Sequence, residues 1–157
     1  MPIRLPSRGL TAGLALSALL AAGPAVAQSI EDTVAARQGQ FKLLSLNLGP
    51  LVGMAQGNME YDSEVAQAAA DNLVRIAGTD QRFNWPEGSD NASIDGTRAL
   101  PAIWEDFEDF VAKLEGLRSG VADMQDAAGT DLAALQGALG GVAGACQACH
   151  QSYRASQ

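Results

Sequence analysis

The chain has 157 residues and a formal charge of −8, from 18 acidic against 10 basic side chains. That length fits one domain plus a removable leader. With 47% apolar and 18% charged residues it can bury a core and is not a disordered chain. The acidic balance repels phosphate backbones and excludes a nucleic-acid partner. One histidine and two cysteines exclude sites that need two or three histidines. Four Phe, two Trp and two Tyr, among abundant Ala and Gly, suit close-packed helices better than a β-sandwich.

Residues 1–27 read as a secretory signal peptide. Arg4 and Arg8 form a positive start, Leu10 to Ala22 an apolar stretch, and Ala25-Val26-Ala27 a small-x-small cleavage signal before Gln28. The apolar stretch is too short to cross a bilayer comfortably. The alternative is a retained N-terminal anchor. Arg4 and Arg8 are not adjacent, so the export route reads as general rather than twin-arginine. Cleavage leaves residues 28–157 and removes two arginines and no acid. No second segment reads as a membrane span. The expectation is a soluble periplasmic domain over 28–157 with no membrane insertion.

Four helices follow in chain order. The first is expected over about Ile30–Ala55, with a seam at Ile30, Val34, Arg37, Phe41, Leu44, Leu48 and Leu51, spaced 4, 3, 4, 3, 4, 3. Pro50 is expected to kink it, because proline has no N–H for the Leu46 carbonyl. The second follows Asp62 as N-cap, with Val65, Ala69, Leu73 and Ile76 as its stripe and Gly78 as its end. A long loop, Thr79 to Leu100, carries Phe83 and Trp85 and is expected to cover something apolar. The third helix opens at Pro101, with a seam at Ile103, Phe107, Phe110, Leu114, Leu117, Val121 and Met124. The fourth starts near Asp131, with Leu132, Leu135, Leu139, Val142, Cys146, Cys149 and Tyr153 along one side. Gly137, Gly140, Gly141 and Gly144 lower its helicity and point to close approach of a helix or a bulky group. With no alternating strand pattern, the fold reads as all-α, an antiparallel four-helix bundle.

The chemistry lies in Cys146-Gln147-Ala148-Cys149-His150, a C-x-x-C-H motif of the kind that attaches c-type haem. On a helix, residues i and i+3 share a face. Two thiols there can reach the two vinyl groups on one haem edge, and His150 then presents its imidazole to the iron. A thioredoxin-like dithiol needs a βαβ setting that is absent here. A structural zinc site lacks a second Cys/His pair. The cofactor expected is one covalent haem c per chain. On the other axial side there is no second histidine, and after the leader only Met54, Met59 and Met124 remain as thioethers. Arg37 is a charge on an apolar seam and needs a partner, such as a haem propionate. The alternative is an arginine that snorkels to solvent. Trp85 and Phe110 are expected to pack on the macrocycle.

The motif ends seven residues before the last residue, on the final helix. This arrangement resembles cytochrome c′, the class II c-type cytochromes. Cys146-x-x-Cys149-His150-x-x-Tyr153-Arg154, Ala36-Arg37-Gln38 and Leu100-Pro101-Ala102-Ile103-Trp104 carry the resemblance, in order, over essentially all of 28–157. It implies that Arg37, Gln38, Thr97 and Arg98 meet the haem edge or its propionates, and that Arg154 lies beside the proximal imidazole. Low-spin relatives carry an iron-binding methionine four residues after the position of Arg37. Here that position is Phe41, which cannot ligate. The resemblance therefore implies a five-coordinate, high-spin iron with Phe41 over its distal face.

Two functions follow. One is a gas-binding haem protein for nitric oxide or carbon monoxide. The other is an electron carrier with a redox partner protein, which gains from a fixed sixth ligand that this sequence does not offer. No enzymatic role is expected. Leu43, Leu46 and Pro50 form an apolar stripe outside the seam, and the resemblance implies pairing through the first two helices, so a homodimer is expected; the alternative is a set of scattered surface leucines.

Overall fold

The computed structural model describes residues 29–156. The expected signal peptide lies outside the described residues.

Helix α1 spans Ile30–Ala55. Ser29 caps it, its hydroxyl accepting from the Asp32 N–H at 3.0 Å, and Glu31 and Asp32 put negative charge at the positive end of the dipole. The chain stays one helix across Pro50, so the missing N–H does not end it. Helix α2 spans Ser63–Ala77. The Asp62 carboxylate accepts from the N–H groups of Glu64 and Val65, and Gly78 closes the helix. Its buried face is Ala66, Ala69, Ala70, Leu73 and Ala77, turned from the expected stripe. Val65 stays 43% exposed. The alanines face inward because α2 packs against both α1 and α4, and small side chains let both neighbours approach.

The expected third helix is two helices. A single turn, α3, covers Ala102–Glu105, and α4 covers Phe107–Ala128. Asp106 breaks the path at φ −139° and ψ 70°, and its carboxylate accepts from the Asp109 N–H. An N-cap side chain thus starts a new helix where the heptad spacing ran on unbroken. One consequence is that Phe107 emerges 43% exposed rather than on the seam. Helix α5 spans Leu132–Tyr153, capped by Asp131, whose carboxylate accepts from the Ala134 N–H.

The four long helices pack in a ring, α1 on α2, α2 on α4, α4 on α5 and α5 on α1, with α3 as a cover. This is the antiparallel four-helix bundle. No strand occurs among the described residues; Ala99 and Arg154 make an isolated antiparallel bridge. By length and composition α5 is apolar enough to cross a membrane, with an 18-residue stretch of mean hydropathy 1.3. The sequence expectation of no second such segment is corrected. The apolar character comes from small Ala and Gly residues, and here the helix packs in the bundle.

The close approach expected of the α5 glycines is real, but the glycine it requires is on α4. A Cβ on Gly120 would stand 3.2 Å from the Gly141 carbonyl carbon and 3.3 Å from the Val142 nitrogen. A Cβ on Gly137, Gly140, Gly141 or Gly144 would meet nothing within 4 Å.

The core has two parts. The larger, around Leu51, Met54, Ala70, Leu73, Met124 and Leu135, fills one end of the bundle. The smaller joins Ile103, Phe110 and Tyr153 beneath Trp85 and Trp104. Part of the loop performs the covering role expected of it. The Trp85 ring lies 4.6 Å from Phe110 and 6.4 Å from Phe41. Phe83 does not take part, being 79% exposed.

Candidate functional site

A cavity of about 410 Å³ lies between the N-terminal half of α1, the start of α4, the end of α5 and the loop before α3. Every site residue expected from the sequence lines it: Arg37, Gln38 and Phe41 from α1; Trp85, Thr97 and Arg98 from the loop; Phe110 from α4; Cys146, Cys149, His150 and Arg154 from α5 and its end. Leu44, Leu48, Leu73, Ile103, Leu114, Leu117, Val121 and Val142, with Ala99 and Ala145, supply the apolar remainder.

The α5 wall follows from helical spacing. Cys146 and Cys149, three residues apart, both border the cavity, and His150 follows. Burial pushes both thiols above their ordinary range, against the pull of Arg154 on Cys146 and of Lys113 on Cys149. A redox dithiol needs the opposite, a stabilised thiolate. His150 is held below its ordinary value, first by burial and then by the positive charges of Arg154 and Arg98. Its neutral imidazole is the form that ligates a metal. Arg154 does lie beside it, with Nη1 3.4 Å from Nε2.

The end of α5 is fixed by the loop. The Leu100 N–H donates to the Tyr153 carbonyl at 3.0 Å, and the Ala155 N–H to the Arg98 carbonyl at 2.9 Å. The Arg98 guanidinium also donates to the Ala155 carbonyl, from Nε at 2.9 Å and Nη2 at 2.5 Å. Side chains hold the same end from α4. The Tyr153 hydroxyl donates to Asp109 at 2.6 Å, and Lys113 pairs with the same carboxylate at 3.1 Å. Lys42, Ser45, Lys113 and Tyr153 line the cavity although they were not among the expected site residues. Tyr153 was legible as the last residue of the α5 stripe. Lys113 adjoins a seam position, Leu114, but its spacing alone gave no signal.

Arg37 is buried, with 2% of its surface exposed. The snorkelling alternative is therefore excluded. Its Nη1 donates to the Ser89 hydroxyl at 2.7 Å and to the Asn84 carbonyl at 3.3 Å. Its Nη2 donates to the Ser89 carbonyl at 2.5 Å and to the Thr97 hydroxyl at 2.9 Å. Its guanidinium lies 4.5 Å from the Trp85 ring centroid. Burial pulls its pKa down and Asp90 opposes that pull. Gln38 donates to the Gly96 carbonyl at 2.7 Å. In this structure the partners of both α1 residues are in the loop.

The residues fit a haem group. The cavity is apolar enough for a macrocycle, has two thiols on one helical face, and places beside them an imidazole whose charged form is disfavoured by burial and by Arg154 and Arg98. Lys42, Arg98 and Arg154 supply cations for carboxylates. Met54 and Met124 are buried in the core at the other end of the bundle, and no methionine lines the cavity among the described residues.

The Cytochrome C′ family model matches residues 32–154. Cytochrome c-554 of Cereibacter sphaeroides is 44% identical over 144 residues, 90% of this chain and 94% of that protein. The solved structure of a Rhodobacter cytochrome c′ is 37% identical and superposes with a TM-score of 0.80, covering 82% of this chain and 99% of that one. The structure of a ferrous arginine-to-lysine variant of Alcaligenes xylosoxidans cytochrome c′ with bound NO is 26% identical. Its TM-score is 0.71, with 82% of this chain and 98% of that one covered.

Proposed function

The chain belongs to the cytochrome c′ family of c-type haem proteins, and from that premise we propose that it is a periplasmic haem protein that binds a small gas, nitric oxide foremost. Cys146 and Cys149 would hold one haem c covalently through thioethers, and His150 would ligate its iron. Bound there, the haem supplies an iron able to take a diatomic ligand or exchange one electron. The protein's part is to exclude water with Leu44, Leu48 and Val142, to disfavour the charged form of His150, and to present the Phe41 ring in the cavity, where it would crowd an incoming ligand. Arg98, Arg154, Gln38, Thr97 and Arg37 would border the haem edge, and Trp85 and Phe110 would pack against the ring. Export depends on residues 1–27.

One observation carries this reading: among the described residues the cavity wall has one imidazole, no second histidine and no methionine. The described cavity wall thus offers one axial ligand of the histidine or methionine kind. The NO-bound relative supports the choice of gas. Self-association through α1 is part of the reading, since Leu43 and Leu46 stand 51% and 70% exposed on its outer face.

The test is the optical spectrum of the purified ferrous protein with and without carbon monoxide, alongside its mass after acid-acetone extraction. A high-spin spectrum that responds to the gas, with one haem retained, is expected. A low-spin methionine spectrum overturns the open-site reading. Retention of covalent haem in the Cys146→Ala, Cys149→Ala double variant overturns the attachment.

A further inference from the structure

The loop from Thr79 to Leu100 forms one wall of the cavity, yet few apolar side chains hold it down. Phe83 points to solvent, and apart from the edge contact of Trp85 with Phe41 the loop's attachment to α1 is polar. Gln40 donates to Thr79 at one end and Gln38 to Gly96 at the other. Arg37 reaches three separate loop residues, Asn84, Ser89 and Thr97. Its four bonds use all four N–H groups at its two terminal nitrogens. The same side chain stacks on Trp85, the loop's one ring on the cavity wall.

Ser89 is the counterpart. It is fully buried, receives both arms of the guanidinium, and donates its own hydroxyl to the Pro86 carbonyl at 2.7 Å. It does not line the cavity. Asp90, next to it, folds the following turn by accepting from the Ala92 and Ser93 N–H groups. A buried cation is strongly destabilising unless its donors are satisfied. The loop backbone and hydroxyls satisfy this one only when the loop is closed on α1.

We propose that Arg37 is a positioning residue whose partner is the loop: it clamps residues 84–97 over the cavity and, through Trp85, sets how freely a ligand enters. A planar fork that bonds three loop residues at once is a function lysine cannot reproduce.

The test compares Arg37→Lys, Ser89→Ala and the double variant in the haem-loaded protein. Amide hydrogen exchange over 84–97 is read against that of 66–73 in α2, and carbon monoxide association is timed after photolysis. Arg37→Lys should speed exchange over 84–97 by about tenfold, as loss of charged hydrogen bonds does, and leave 66–73 unchanged. Ser89→Ala should loosen the same amides and change the association rate in the same direction. The double variant should add little to either. If Arg37→Lys alters the spectrum or the association rate while loop exchange is unchanged and Ser89→Ala is silent, the residue acts on the haem carboxylates and the proposal falls. Equal acceleration of all amides would also overturn it. Failure to bind carbon monoxide at all counts against the gas-binding function, not against the clamp, which the exchange measurement reads independently.

Discussion

The Tyr153 hydroxyl, at the end of α5, donates to the Asp109 carboxylate of α4 across 2.6 Å. This bond pushes the phenol up to about 12, with burial adding to it. It also holds Asp109 below its ordinary value, with help from Lys113. The stability Tyr153 contributes is therefore complete below about pH 10 and lost as the pH rises through about 12, since only the protonated phenol donates. In a Tyr61→Phe background, titration of the tyrosinate absorbance should show a single midpoint near 12. Asp109→Asn should bring that midpoint down. A midpoint unchanged by Asp109→Asn would show that the carboxylate is not its cause.

Gly120 and Gly137 should respond to alanine with opposite signs. At Gly120 the new methyl presses on the backbone of Gly141 and Val142, which cannot swing aside. Overpacking of this kind costs about 1–3 kcal/mol. At Gly137 a methyl meets nothing, and the helix gains about 0.5–1 kcal/mol. Urea denaturation of the two variants checks both signs.

Phe41 is expected to govern the open face. Phe41→Ala should raise carbon monoxide affinity by roughly one to two powers of ten, the equivalent of relieving a packed ring. Nitric oxide affinity should rise much less, because its stronger bond to ferrous iron tolerates crowding. Equal gains for both gases would show that the ring does not discriminate. Phe41→Met should move the ferrous spectrum toward six-coordinate low spin.

Leu46→Glu should weaken self-association by roughly tenfold or more, since a carboxylate trapped in an apolar contact loses its water. Leu43→Glu should act in the same direction. Sedimentation velocity reads both; unchanged profiles would place the contact away from this stripe.

The C-x-x-C-H motif and the resemblance around it led to the cavity from sequence alone, because helical spacing fixes which residues share a face. Asp62 was legible as a cap, and the start of the last helix near Asp131, for the same local reason; that Asp131 itself caps it was seen only in the structure. The expected residues from all four regions meet around one cavity.

What the sequence determined by itself is what depends on neighbours three or four residues away: helix faces, caps, and the thiols beside one imidazole. Only the tertiary structure decided the rest. Whether Ala66 or Val65 faces inward depends on α1 and α4 packing from both sides, which the α2 stripe does not encode. That Asp106 would interrupt a perfect heptad required seeing its carboxylate compete for the Asp109 N–H. Arg37 was recognisable as a buried charge in need of a partner. The partner, Ser89, lies 52 residues away, and a loop with no periodicity gives no register by which to find it. Hydrogen bonds between distant segments are chosen by the closed fold, because only there are their donors and acceptors removed from water and forced to pair.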